Sequence, residues 1–257
     1  MLTLFFFKEK RKCLSRWLPP PIQRKFLTLQ VLHRLQAAIE TPAVVLELAT
    51  VKHNLARIAQ LSKVHGVQLR PHVKTHKSIR IARMQIAAGA VGITASKTSE
   101  ALEFIRADIS SVTIAYPVVD RSKIGPLLKA GIEHGVHLRL VVDSLAGVEA
   151  IAGEASLADV VVDVQLKVDV GLRRCGVDPT SPEAIRVARA IAGQPQLRFC
   201  GLLSHAGQAY RASSAEDVQE IGNTERELML SFAQALTAAG ISVPYDFSRM
   251  HAHGCSA

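Results

Sequence analysis

Three stretches of this 257-residue chain concentrate side chains able to do chemistry. The first is Arg70-Pro71-His72-Val73-Lys74-Thr75-His76-Lys77, a lysine standing between two histidines. The second is Lys167-Val168-Asp169-Val170-Gly171-Leu172-Arg173-Arg174-Cys175-Gly176, and the third is Ser204-His205-Ala206-Gly207-Gln208-Ala209-Tyr210. A lysine attacks a carbonyl only when its amine is neutral. Partial desolvation and cationic neighbours both lower its pKa, so Lys74 is expected to be a usable imine-forming amine. Taken by themselves, Lys74 and Lys77 read equally as solvated loop lysines. His72 and His76 also have two readings: one of them orients the lysine or a carboxylate, or each is satisfied by backbone.

All three stretches follow short β-branched runs. Strands are expected at 43–48, 68–73, 90–95, 111–116, 137–142, 160–168 and 197–204. Runs such as Val160–Val164, broken only by Asp163, suit strands covered on both faces. Helical patterns fall between them, at about 51–65, 78–88, 98–107, 120–134, 145–157, 182–192 and 214–239. Val51, Leu55, Ile58 and Leu61 make one apolar stripe, with Thr50 to cap its start and Gly66 to end it. Ser181, Pro182 and Gly193 punctuate another helix. Seven βα units, with the start of an eighth strand at Ile241, imply a parallel sheet and favour a (β/α)8 barrel over a doubly wound sheet. Barrel chemistry sits at the C-terminal strand ends, which is where the three stretches fall.

Composition sets the outer bounds. With 48% apolar and only 5% aromatic residues, the chain suits one large α/β core. The net charge of +9 is concentrated in residues 1–25, where seven cations face Glu9 alone. That tail carries +6, and the remaining 232 residues carry +3, which argues against a nucleic-acid partner. Leu2 to Phe7 is too short to span a bilayer, and its basic run follows the apolar one, the reverse of a signal peptide. Residues 1–40 are therefore read as a basic, partly disordered extension without membrane association. The four cysteines form no CxxC and no disulfide framework, so a reducing cytoplasm is expected.

The segment LRPHVKTHKS is similar to the cofactor-lysine segment of the D-threonine aldolase and D-serine dehydratase family. These are fold type III enzymes of pyridoxal 5'-phosphate (PLP), built on the alanine racemase N-terminal barrel. TPAVVLELATVKHNLARI, AVGITASKTSEA, AYPVV, LKVDVGLRRCGV and GLLSHAGQAY resemble further blocks of that family, in order, across about residues 40–243. The resemblance implies a PLP-binding barrel over 41–243 in which Lys74 forms the internal aldimine. It implies that Arg174 contacts the region of the cofactor's phenolic oxygen, and that His205 and Tyr210 lie near the cofactor. Arg174 also reads as a surface partner of Asp169, and His205 and Tyr210 as packed loop residues. The implied activity is a lyase acting on a small D-β-hydroxy amino acid. Cleavage of Cα–Cβ gives glycine and an aldehyde; loss of the α-proton and β-hydroxyl gives a keto acid and ammonia.

The final residues depart from the family pattern. Family members continue into an eighth strand, a Gly-rich phosphate turn and a β-domain that binds a divalent metal. Here residues 244–257 form an atypical tail, expected to be out of frame after about Val243, so the barrel is read as incomplete at its last unit, with the β-domain and its metal site absent. His251-x-His253-x-Cys255 has the residue types of a zinc site, but the frame reading takes precedence and no metal ligand is assigned. The alternatives are an amino-acid racemase and a truncated, inactive or non-catalytic PLP-binding barrel. A homodimer is compatible with the family pattern.

Overall fold

A computed structural model describes residues 40 and 44–244 of the chain. The basic extension other than Glu40, and the tail beyond Pro244, lie outside the described residues, as does the His251/His253/Cys255 cluster.

Seven helices are described: α1 (Leu48–Val64), α2 (Ile79–Ala87), α3 (Thr98–Arg106), α4 (Arg121–Glu133), α5 (Leu145–Leu157), α6 (Pro182–Ala192) and α7 (Ala215–Ala238). Each falls on an expected helical pattern. Their starts are written in short polar side chains: Ser78, Asp120, Ser144, Ser181 and Ser214 each accept from a backbone N–H in the first turn. Ser214 and Asp217 form a reciprocal capping box at the head of α7.

The strands are β1 (Ile93–Ala95), β2 (Ser111–Ile114), β3 (His137–Val142), β4 (Val162–Lys167) and β5 (Leu197–Leu203). They form one parallel sheet in the order β1-β2-β3-β4-β5. A doubly wound sheet reverses its strand order at a switch point. No reversal occurs among the described strands, so the topology is that of a barrel wall. This is an α/β fold with a parallel sheet, as expected.

The two faces of the sheet differ in chemistry. Register places Thr94, Thr113, Arg139, Asp163 and Arg198 in one row across all five strands. The neighbouring positions Ile93, Val112 and Leu138 form an apolar row on the opposite face. Alternation along a strand explains both rows, because successive side chains point to opposite faces. The apolar face joins Ile105, Leu127, Ile151, Val187 and Ile191 from the helices in one core. β4 is buried at every position, as expected of a strand covered on both faces, yet one of those faces is polar. Asp163, Gln165 and Lys167 share one face of β4, and all three are buried.

Asp163 anchors the polar row. Its carboxylate accepts from Arg198 Nε at 2.5 Å, lies 2.6 Å from His137 Nε2, and has Arg139 at 3.8 Å. Burial pushes its carboxyl up, but the hydrogen bonds from Arg198 and His137 outweigh this and hold it below the ordinary carboxylate range.

Two of the seven expected strands are not formed. Residues 68–73 align beside β1 through Val91 N–H to Leu69 O and Thr94 N–H to Pro71 O, with one bridge at His72 and Thr94. Pro71 has no N–H to donate, which leaves a gap in the ladder, and after the bridge at His72 the chain turns into a 3-10 turn at Val73–Thr75. Residues 44–47 run extended into α1 without a partner strand, and Val44 is 90% exposed. A strand exists only when paired, and no described strand lies beside this one. The Val51, Leu55, Ile58 and Leu61 stripe of α1 accordingly buries no residue. Thr50 does not cap α1. Glu47 holds that position, and the Thr50 hydroxyl donates to its Oε2 at 2.7 Å.

Candidate active site at the C-terminal edge of the sheet

The loops after β4 and β5 and the turn preceding α2 gather at one edge of the sheet. Lys74 lies in the Val73–Thr75 turn, which is closed at both ends by histidine. The backbone N–H of Lys74 donates to Nδ1 of His72 at 3.3 Å, and that of Ser78 donates to Nδ1 of His76 at 3.0 Å. Each ring thus accepts from the N–H two residues onward, which puts its proton on Nε2. Burial lowers the pKa of His72, reinforced by the Lys74 charge, and burial also lowers that of His76. Both open readings of these histidines meet at His72: it is satisfied by backbone, and that backbone belongs to the lysine.

Lys74 itself is exposed. The expected desolvation of this amine is corrected: the turn lifts it clear of the core. The buried lysine of this edge is Lys167, the last residue of β4, only 3% exposed. Burial pushes its pKa down and the Arg174 guanidinium adds to that, while Cys175, Glu225 and Asp143 act against it.

The loop after β4 is tightly held. Asp169 Oδ1 accepts from the N–H groups of Gly171 and Arg173, at 2.9 and 3.0 Å. That carboxylate is therefore occupied by backbone, and Arg174 makes no ion pair among the described residues. The reading of Arg174 as a partner of Asp169 is set aside. Asp143, just past β3, accepts from Gly176 N–H at 3.0 Å. Gly176 has φ +112°, and a Cβ there would come within 2.6 Å of the Asp169 nitrogen, so only glycine fits the turn.

The loop after β5 docks onto this one. Gln208 Nε2 donates to Val170 O at 2.8 Å. His205 is half-buried, and its ring centroid lies 6.0 Å from that of Tyr210, which is 82% exposed. Burial lowers the His205 pKa, and the charges of Arg174, Lys167 and Lys74 lower it further, with Glu225 opposing. His205 therefore senses three cations from three different segments. Lys74, Lys167, Arg174 and His205 converge, whereas Tyr210 is linked to them only through His205.

Sequence reasoning placed Lys167 at this strand end but gave it no role, and it missed Asp143 and Glu225 as parts of this edge. The signal for Lys167 was present, as the third member of the alternating set Asp163, Gln165, Lys167. Glu225 lies within α7 among several acidic residues, and nothing in the sequence separates it from Glu220 or Glu227. Among the described residues no group of His, Cys, Asp and Glu is arranged to hold a metal ion. A groove of about 410 Å³ beside α1, lined by residues such as Gln60, Lys63, Leu69 and Val91, contains none of these side chains.

A barrel-type parallel sheet with cationic loops converging at its C-terminal edge defines an α/β protein with a cationic mouth. The chain belongs to the family described as alanine racemase, N-terminal domain, whose pattern matches residues 46–251. It is 34% identical over 207 residues to the D-threo-3-hydroxyaspartate dehydratase of Delftia sp. (strain HT23), covering 80% of this chain and 54% of that protein. It is 33% identical over 208 residues to the D-threonine aldolase of Arthrobacter sp., with the same shares. The crystal structure of D-threonine aldolase from Filomicrobium marinum superposes with a TM-score of 0.76 at 31% identity, covering 81% of this chain and 56% of that one. The chain thus spans about half the length of the curated relatives it matches.

Proposed function

We propose that this chain is the PLP-binding barrel of a lyase acting on small D-β-hydroxy amino acids, with Lys74 as the lysine that carries the cofactor. The observation behind the reading is the meeting of Lys74, Lys167, Arg174 and His205 at one edge of a sheet whose relatives are named for reactions of such amino acids. The donor set fits the cofactor. PLP brings a phosphate and a phenolate, and the mouth offers a surplus of cations together with an amine in reach of solvent. When bound, PLP supplies an electron sink for a bond broken at the substrate's α-carbon.

The protein's own residues supply binding and proton handling. Arg174, without an ion pair among the described residues, is the cation for a phenolate or carboxylate oxygen. His205, its pKa lowered, is uncharged at neutral pH and so able to take a proton at the ring nitrogen that lacks one. Tyr210, exposed and with its ring 6.0 Å from that of His205, is a candidate for the cofactor's outer side. Lys167 adds a buried amine that feels the Arg174 charge, reinforcing the positive sign of the local field. The divalent metal of full-length relatives, the cytoplasmic location and a homodimeric state belong to the same reading. No described helix is long and apolar enough to cross a membrane.

The test is an assay of the full chain with PLP and a divalent cation on D-threonine, D-serine, D-3-hydroxyaspartate and D-alanine. Glycine with an aldehyde, or a keto acid with ammonia, supports the lyase reading. Formation of L-alanine as the sole product would replace it with racemase chemistry.

A further inference from the structure

Helix α7 lies outside the sheet, yet one of its side chains reaches the mouth. Glu225 Oε1 accepts from the Ser204 hydroxyl at 2.6 Å. Ser204 is the first residue after β5, and His205 follows it directly. The turn beyond is crowded: a Cβ on Gly207 would stand 2.9 Å from His205 Nε2 and 2.7 Å from Leu172 Cδ2. Gln208 ties the same turn to the loop that carries Arg174. The His205 ring is thus packed on its C-terminal side by Gly207 and Leu172, and on its N-terminal side the chain is held from α7 by a carboxylate.

We propose that Glu225 is a positioning residue of this site: through Ser204 it fixes the chain that presents His205, and it sets a carboxylate among the site's cations. The proposal rests on the reading of His205 as a residue of the working site. The charges of Arg174, Lys167, Lys74 and Glu225 act on His205, which in turn acts on His72. Of these only Glu225 is acidic, and its charge also acts on Lys167. Two roles can be separated chemically. Glu225→Gln keeps an oxygen to accept from Ser204 and removes the charge. Ser204→Ala keeps the charge and removes the hydrogen bond.

The experiment uses the full chain without cofactor, so that it does not depend on PLP binding. The His205 ring is titrated by NMR, its resonance assigned by its loss in His205→Asn, and far-UV circular dichroism confirms that each variant is folded. Glu225→Gln is expected to lower the His205 titration midpoint. Ser204→Ala is expected to leave the midpoint in place and to shorten the ordered lifetime of the loop, read as faster amide exchange at Gly207 and Gln208. An unchanged midpoint in Glu225→Gln overturns the electrostatic role, and unchanged exchange in Ser204→Ala overturns the positioning role. If the variants show these effects yet the wild-type chain binds no PLP, the cofactor reading fails while this one stands.

Discussion

The backbone N–H of Lys74 donates to Nδ1 of His72 at 3.3 Å, so the lysine's own peptide is held by the histidine two residues before it. The side chain is left unhindered while its base is fixed. A flexible amine on a fixed base suits a lysine that must reach a ligand from one direction. Replacing His72 by Ala removes one backbone hydrogen bond, worth about 1 kcal/mol. PLP affinity is expected to fall roughly fivefold by that measure, with His72→Asn recovering most of the loss, because its side-chain oxygen can accept in place of Nδ1. Equilibrium PLP titration of the three chains checks this; identical affinities would show that the hydrogen bond does not position the lysine.

Lys167 is a buried amine beside Arg174, an arrangement that costs stability. Exchange of Lys167 for Met is expected to stabilise the fold by about 1–3 kcal/mol, since an apolar side chain of similar volume removes a desolvated charge. The pH dependence has a definite sign. The folded chain holds the Lys167 proton less tightly than the unfolded chain, whose amine titrates near its ordinary 10.5. Stability contributed by this group therefore rises with pH between the depressed folded value and 10.5. Urea unfolding at pH 7 and pH 9.5 should show the advantage of Lys167→Met shrinking at the higher pH. A wild-type chain more stable than the variant at both values would contradict this.

The Asp163 cluster joins β3, β4 and β5 away from the mouth, and its role is structural. Removing the carboxylate strands Arg139, which is largely buried, and Asp163→Ala is expected to cost about 3–5 kcal/mol. Because the folded-state pKa of Asp163 lies below the ordinary carboxylate range, its contribution is complete above that range. It is lost as pH falls through the folded value. Acid titration followed by circular dichroism should show the wild-type chain losing stability in that window and Asp163→Ala losing less of it.

The two described cysteines differ in reactivity. Burial pushes the Cys200 thiol up to about 11, whereas Cys175 is half-buried on the loop that carries Arg174. At pH 8 a thiol with that pKa is about 0.1% thiolate, too little for rapid attack. Iodoacetamide labelling with peptide mapping should modify Cys175 well before Cys200 in the native chain. PLP bound at the mouth should slow labelling of Cys175 alone.

The helices were legible in the sequence because each carries an amphipathic or apolar run and five of the seven described helices also carry a side-chain cap. Ser181, Pro182 and Gly193 mark the bounds of α6 without tertiary information. Strands were legible only where the sheet supplies a partner. AVVLEL and QLRPHV have strand composition, but residues 44–47 lack a described neighbour and Pro71 interrupts the second ladder. The same limit applied to the site. Lys74, Arg174 and His205 could be picked out by residue type at a strand end, whereas burial could not. Desolvation expected at Lys74 was found at Lys167, because burial depends on which face of β4 turns away from the helices. Glu225 reaches the mouth only through the packing of α7, a contact with no local signature.

The central claim is that Lys74 carries the cofactor. The most direct measurement is to load the full chain with PLP, reduce with borohydride, digest, and locate the phosphopyridoxyl group by mass spectrometry, with Lys74→Ala beside it. The expected result is modification at Lys74 in the wild-type chain, a visible absorbance band lost on reduction, and neither in the variant. Modification at Lys167 in place of Lys74, or an unchanged band in Lys74→Ala, would contradict the assignment.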